Sequence, residues 1–109
     1  MKYEIIISNQ FKKEFKPISK KYPSLKNDLL ALLTSLEENP KQGINLGSGL
    51  RKIRLKILSK GKSSSGGARV ITYETLININ ESILSLISIY DKSDFDTIDI
   101  NVLNKNLDI

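Results

Sequence analysis

Leu50-Arg51-Lys52-Ile53-Arg54-Leu55-Lys56-Ile57-Leu58 alternates apolar and cationic side chains through most of its length. Side chains along an extended chain point to opposite faces in turn, so Ile53, Leu55 and Ile57 share one face and Lys52, Arg54 and Lys56 the other. The pattern predicts a strand with one face in a core and a cationic face on display. Downstream, Lys60-Gly61-Lys62-Ser63-Ser64-Ser65-Gly66-Gly67 predicts a hairpin loop longer than a tight turn. Ala68 to Leu76 is the return strand, with Arg69, Ile71 and Tyr73 on one side. Asn78-Ile79-Asn80-Glu81 turns the chain again. Ser82 to Tyr90 is apolar at both parities, which predicts a central strand covered on both faces.

Upstream, residues 3–7 predict a short strand ended by Ser8-Asn9, either of which can cap a helix. Phe11, Phe15 and Ile18 recur on one face of that helix, opposite Lys12, Lys13, Lys16 and Lys20. Pro17 conflicts with the pattern, because it removes a backbone donor and bends or shortens a helix. Tyr22-Pro23 restarts a second helix with the stripe Leu25, Leu29, Leu32, Leu33 and Leu36, stopped by Asn39-Pro40. Gly43 to Gly49 is expected to be a connecting loop. Beyond Ser93, the residues Phe95, Ile98, Val102 and Leu107 outline a last helix, with Asp94, Asp96 and Asp99 well placed near its start. The expected order is β-α-α-β-β-β-α, an α+β fold with an antiparallel sheet packed by a helical hairpin. A chain of 109 residues is expected to form one domain over 1–109.

Composition narrows the chemistry. The sequence has no cysteine and no histidine, so a thiolate nucleophile, a disulfide framework and the commonest zinc ligands are all absent. Catalysis would have to run on Lys, Arg, Tyr, Ser or carboxylates, and no cluster of metal ligands or cofactor motif is expected. Gly61-Lys62-Ser63 has neither the earlier glycine nor the following helix of a nucleotide-binding phosphate loop. The N-terminus enters a strand without a signal-peptide apolar core, and no apolar run could span a membrane. A reducing cytoplasm is therefore the expected location.

Charge is unevenly spread. Lys41, Arg51, Lys52, Arg54, Lys56, Lys60, Lys62 and Arg69 lie within residues 39–73, which contain no acid, whereas residues 74–109 hold seven acids and two lysines. A one-signed surface attracts polyanions and speeds their capture. The ordinary alternative is a solvated lysine-rich face. Facing like charges, however, repel by roughly a few tenths to one kcal/mol per pair, which a bound polyanion offsets and a structural role does not. Guanidinium groups grip phosphate oxygens two at a time, so Arg51, Arg54 and Arg69, with Lys52, Lys56, Lys60 and Lys62, are the candidate phosphate ligands. Tyr73 and Tyr90 are expected at the ends of neighbouring strands, where a ring could stack a base. Each is also an ordinary half-buried sheet tyrosine. Tyr3 and Tyr22 are expected to be structural. Lys92 shares the strand end of Tyr90 in an acidic neighbourhood, where a surface ion pair is the ordinary reading.

Several segments together resemble a known family. Gly49-Leu50-Arg51-Lys52-Ile53-Arg54, Ser59-Lys60-Gly61-Lys62, Gly66-Gly67-Ala68-Arg69-Val70-Ile71-Thr72-Tyr73 and Ile87-Ser88-Ile89-Tyr90-Asp91-Lys92-Ser93 look like the HigB-type branch of the RelE/ParE toxin superfamily. The opening strand, the Phe11-Lys12-Lys13 helix and the Asn39-Pro40 stop are similar too. The resemblance implies a RelE-like fold and a type II toxin–antitoxin toxin. Its activity would be that of a ribosome-dependent, metal-independent mRNA endonuclease inhibiting translation. Its partners would be the ribosome, mRNA and a cognate antitoxin, HigA-like or RelB-like. The RNA 2′-hydroxyl would attack the adjacent phosphate, leaving a cyclic phosphate and a 5′-hydroxyl. The family's basic positions fall on Lys52, Arg54, Arg69 and Lys92. Lys52, an amine among other cations, is the candidate for proton transfer. Arg54 and Arg69 would stabilise the charge growing on phosphorus, and Tyr90 or Tyr73 would stack a base or orient the nucleophile. Arg51, Lys56, Lys60, Lys62 and Tyr73 become expected RNA contacts.

The chain departs from the family in two places. The last helix offers Phe95 and Ile98 where many RelE-type enzymes carry tyrosine or histidine, and Ser63-Ser64-Ser65 replaces a lysine-glycine run. Two alternatives follow from the same resemblance: a ParE-like toxin that binds DNA gyrase without nuclease activity, and a decayed toxin that retains only antitoxin binding.

Overall fold

A computed structural model describes residues 2–60 and 67–93. Two helices pack on a sheet of five strands, an α+β architecture. The elements are β1 (Lys2–Ile7), α1 (Asn9–Lys21), α2 (Leu25–Glu38), β2 (Ile44–Gly47), β3 (Leu50–Leu55), a 3-10 turn (Leu58–Lys60), β4 (Ala68–Asn78) and β5 (Glu81–Asp91). The sheet order is β1-β5-β4-β3-β2. β2 to β5 form an antiparallel meander, while β1 pairs parallel with β5, which is therefore interior as its two-faced apolar sequence predicts. The expectation of a wholly antiparallel sheet is corrected at that edge. The α1–α2 pair carries the chain from β1 at one edge to β2 at the other, so β1 and its neighbour need not form a hairpin.

Residues 43–49 are not simply a loop. Ile44–Gly47 is an edge strand folded back on β3 by Gly47, Ser48 and Gly49, whose φ angles are 87°, 55° and 83°. The glycines that identify the turn also hid the short strand beside them. β3 ends at Leu55 rather than Leu58, although Ile57 stays buried. The predicted last helix lies outside the described residues.

Ser8 caps α1: its hydroxyl accepts from the Phe11 amide at 3.1 Å and donates to the Ile87 carbonyl at 3.3 Å. α1 runs on through Pro17, whose ring costs the helix one hydrogen bond without ending it before Lys21. Ser8→Ala is expected to lower the unfolding free energy by about 1 kcal/mol, measured by urea denaturation.

The helices bury Phe11, Leu25, Leu29, Leu32 and Leu36 against Ile53, Leu55, Ile57, Val70, Leu84, Leu86 and Ile89. The alternation first read in β3 thus decides which side of the sheet faces the helices. A smaller cluster of Leu50, Ile71, Ile87 and Tyr90, with Leu46 and Tyr73 against it, lies at the opposite parity. Ile71 pairs with Ser88 and Thr72 with Leu86, so Ile87 is an extra residue in β5. Such a bulge shifts the alternation along the strand. Where β5 runs past the end of β1, the Glu14 carboxylate of α1 accepts from the Ile89 amide at 3.3 Å and the Ser88 hydroxyl at 2.9 Å.

Candidate functional site

Strand register sets out the side chains opposite the helices in rows. Arg54, Arg69 and Tyr90 are successive cross-strand partners on β3, β4 and β5. Ile44, Lys52 and Ile71 form the next row, on β2, β3 and β4. Leu50 and Tyr73 form the one after. Around the first two rows lies a pocket of about 440 Å³ lined by Ile44, Lys52, Arg54, Arg69 and Lys92. Four candidate residues from three separate parts of the sequence are thereby brought together.

Lys92 reaches the pocket because the end of β5 is held from both sides. Its amide donates to the Gly67 carbonyl at 3.0 Å, which ties it to the start of β4. Asp91, only 2% exposed, accepts from the Tyr22 hydroxyl at 3.0 Å and from the Ser93 amide and hydroxyl at 3.0 and 2.7 Å. Lys21 approaches the same carboxylate at 4.0 Å. Asp91 therefore anchors the turn that carries Lys92, a role its place in an acidic run did not suggest. The only local signal was its spacing from Ser93, which suits a side-chain-closed turn.

Arg69 is the floor of the pocket. It is 6% exposed and donates from Nη1 to the Ala68 carbonyl at 3.1 Å. Burial lowers its pKa from the ordinary arginine value, and Arg54 across the strand pair lowers it further. Arginine nevertheless stays charged, so the same causes describe a guanidinium that gains when an anion enters. Arg54 is exposed and can close over a ligand from the rim.

Tyr90 sits beside Arg69 at 5% exposure, within the smaller apolar cluster. Burial pushes its phenol pKa up, partly opposed by Arg69. The raised value favours the neutral phenol in the folded chain. Its contribution to stability is full below the ordinary value near 10 and is lost as pH rises through the folded value. Tyr90→Phe is expected to flatten the fall in unfolding midpoint that sets in above about pH 10, followed by thermal denaturation against pH.

The remaining candidates are placed less centrally. Arg51 has the opposite parity, and its Nη1 donates to the Gly43 carbonyl at 3.4 Å. Lys56 is exposed just beyond β3, outside the pocket lining. Tyr73 is half-buried against the smaller cluster and is not among the lining residues. Lys62 and the Lys60 side chain lie outside the described residues. Tyr3 and Tyr22 make structural bonds, to Glu74 at 3.2 Å and Asp91 at 3.0 Å. Sequence reasoning misses Ile44, because Gly43 to Gly49 reads as a connecting loop. It also misses Asp28, whose buried carboxylate accepts from Ser24 at 2.7 Å and the Leu58 amide at 3.2 Å, fixing the chain after β3.

A second pocket of about 550 Å³ lies at the far end of the sheet, lined by Lys2, Tyr3, Glu4, Ile77, Glu81, Ser82 and Ile83. It is larger, but its charges are of both signs, so nothing there gathers an anion. Among the described residues no group of three or more acidic side chains is placed to hold a metal ion, and no helix is long and apolar enough to cross a membrane. No protein-family model and no curated protein sequence matches the chain.

Proposed function

We propose that the chain is a toxin of a type II toxin–antitoxin system. In this reading it is a ribosome-dependent, metal-independent endoribonuclease that acts in the cytoplasm and is silenced by a cognate antitoxin. The observation that carries the reading is the convergence of Lys52, Arg54, Arg69 and Lys92 on one pocket at the sheet face opposite the helices. These are the four basic positions on which the resemblance to the RelE/ParE toxins turns.

Their chemistry suits cleavage by the RNA itself. A 2′-hydroxyl oxygen attacks the adjacent phosphorus and gives up its proton. The P–O5′ bond breaks, and the departing 5′-oxygen takes a proton. The products are a 2′,3′-cyclic phosphate and a 5′-hydroxyl. Arg54 and Arg69 lie on either side of one strand pair, so two guanidinium forks can face the phosphate oxygens as charge grows on them. Lys52 and Lys92, on the lining of the same pocket, are the groups available for proton transfer. Tyr90, buried beside Arg69 and outside the pocket lining, supports that arginine's row from within the smaller apolar cluster.

Expression of the chain without an antitoxin is the test. Translation arrest with mRNA fragments ending in cyclic phosphate supports the reading. Arrest with intact mRNA and gyrase-stalled DNA breaks selects a gyrase-binding toxin instead, and harmless expression points to a decayed one. The logarithm of the purified chain's RNA affinity is also expected to fall linearly with the logarithm of salt concentration. Lys56→Gln should reduce that slope by about one unit while leaving cleavage of bound RNA unchanged.

A further inference from the structure

The pocket has one apolar wall. Ile44 is 61% exposed on edge strand β2, and every other lining residue is cationic. A singly exposed isoleucine is unremarkable on a protein surface. This one is held in place. Gly43, at φ +98°, lies so close to β3 that a Cβ there would stand 2.6 Å from the Lys52 carbonyl oxygen. The chain therefore enters β2 pressed against β3, and register sets Ile44 directly across from Lys52. The Arg54–Arg69 row is two residues further along β3, about 7 Å away.

The volume is also informative. At about 440 Å³ the pocket falls within the range of sites that hold whole small molecules, roughly 300–1,000 Å³, well beyond one phosphate group. Four cations account for a phosphate and its neighbours, and a guanidinium plane can also stack on a base, but none of them offers an uncharged apolar surface to its flat face. An exposed branched side chain one row from the phosphate-binding pair does, since bases pack on apolar as well as aromatic side chains.

We propose that Ile44 is the platform for the nucleobase adjoining the phosphate held by Arg54 and Arg69, so that the pocket takes a nucleotide unit of RNA and not the backbone alone. Ile44 would then be a specificity-determining residue, distinct from the cationic groups that act on phosphorus. The inference rests on the RNA-binding reading above and narrows it.

Two non-cleavable 2′-O-methyl tetranucleotides test it by fluorescence anisotropy, one with all bases and one abasic with the same phosphates. The wild-type chain should bind the base-bearing oligomer about tenfold more tightly. Ile44→Ser should lose most of that preference with little change in abasic affinity, and Ile44→Tyr should keep it. Because Ile44 is exposed on an edge strand, circular dichroism should show both variants folded like the wild-type chain. Equal wild-type affinities for the two oligomers, or an Ile44→Ser loss equal for both, would overturn the base platform and leave the RNA reading standing. No binding of either oligomer, by the free chain or by the chain on ribosomes, would overturn both.

Discussion

Arg54→Gln combined with Arg69→Gln is expected to lower the rate of RNA cleavage by about 10³–10⁴-fold, with each single change costing about 10²-fold or more. The expectation follows from position. Arg54 and Arg69 are direct cross-strand partners, so the two guanidinium groups can act on one phosphate. Arg69 is almost wholly buried, and Arg54 adds to the pressure on it. A charge held in such surroundings is worth more to an incoming anion than a solvated one, because little water screens it. The two effects need not multiply, since removing either fork leaves the other to bind the same oxygens. Single-turnover cleavage of saturating RNA on ribosomes measures the chemical step apart from binding. Glutamine keeps a polar group at the buried site, so the fold should survive, and unfolding by urea checks that it does. A double variant that cuts as fast as the parent chain would sink the assignment of these arginines to the reacting phosphate.

Much of this arrangement is legible in the sequence, for a definite reason. The alternation of Lys52, Ile53, Arg54 and Leu55 assigns each residue to a face, because a strand has a period of two and the core accepts only one of the faces. Parity alone therefore separated the pocket cations from the anchoring residues. The same rule shows why Arg51 lies apart: it is cationic, but it has the parity of Ile53, and it bonds to the Gly43 carbonyl. What parity cannot supply is the partner of each strand. Nothing local in Lys2–Ile7 says that β1 runs parallel beside β5, since that pairing is made across more than seventy residues. Ile44 was concealed by neighbouring glycines that speak only of turns. Asp91 belongs to the acidic neighbourhood of Lys92, where a surface ion pair is the ordinary reading, yet tertiary structure buries it against α1 at the end of β5, where it anchors the backbone that carries Lys92. Charge type was readable, but burial was not.

Gly67→Ala is expected to cost about 3 kcal/mol of stability and to weaken RNA binding as well, because the glycine lies where two strands are held together. In sequence Gly66-Gly67 reads as the end of an ordinary hairpin loop. In the structure a Cβ at Gly67 would collide with the Leu55 carbonyl oxygen and crowd the Lys56 Cα at 3.2 Å. These are backbone atoms, so no side chain can turn aside to make room. Either β4 shifts from β3 near the Arg54–Arg69 pair, or the chain after Leu55 moves. Both routes disturb the pocket, since the Gly67 carbonyl also accepts from the Lys92 amide at 3.0 Å. Gly47→Ala provides the contrast. No atom lies within 4 Å of its would-be Cβ, but its φ of 87° leaves a backbone strain of about 1–2 kcal/mol. That change should destabilise the chain without altering its affinity for RNA once folded. Urea denaturation paired with anisotropy at low denaturant separates the cases. If Gly67→Ala bound RNA as tightly as Gly47→Ala at matched folded fraction, the close approach at Gly67 would be a matter of stability alone, and Lys92 would owe its place to Asp91.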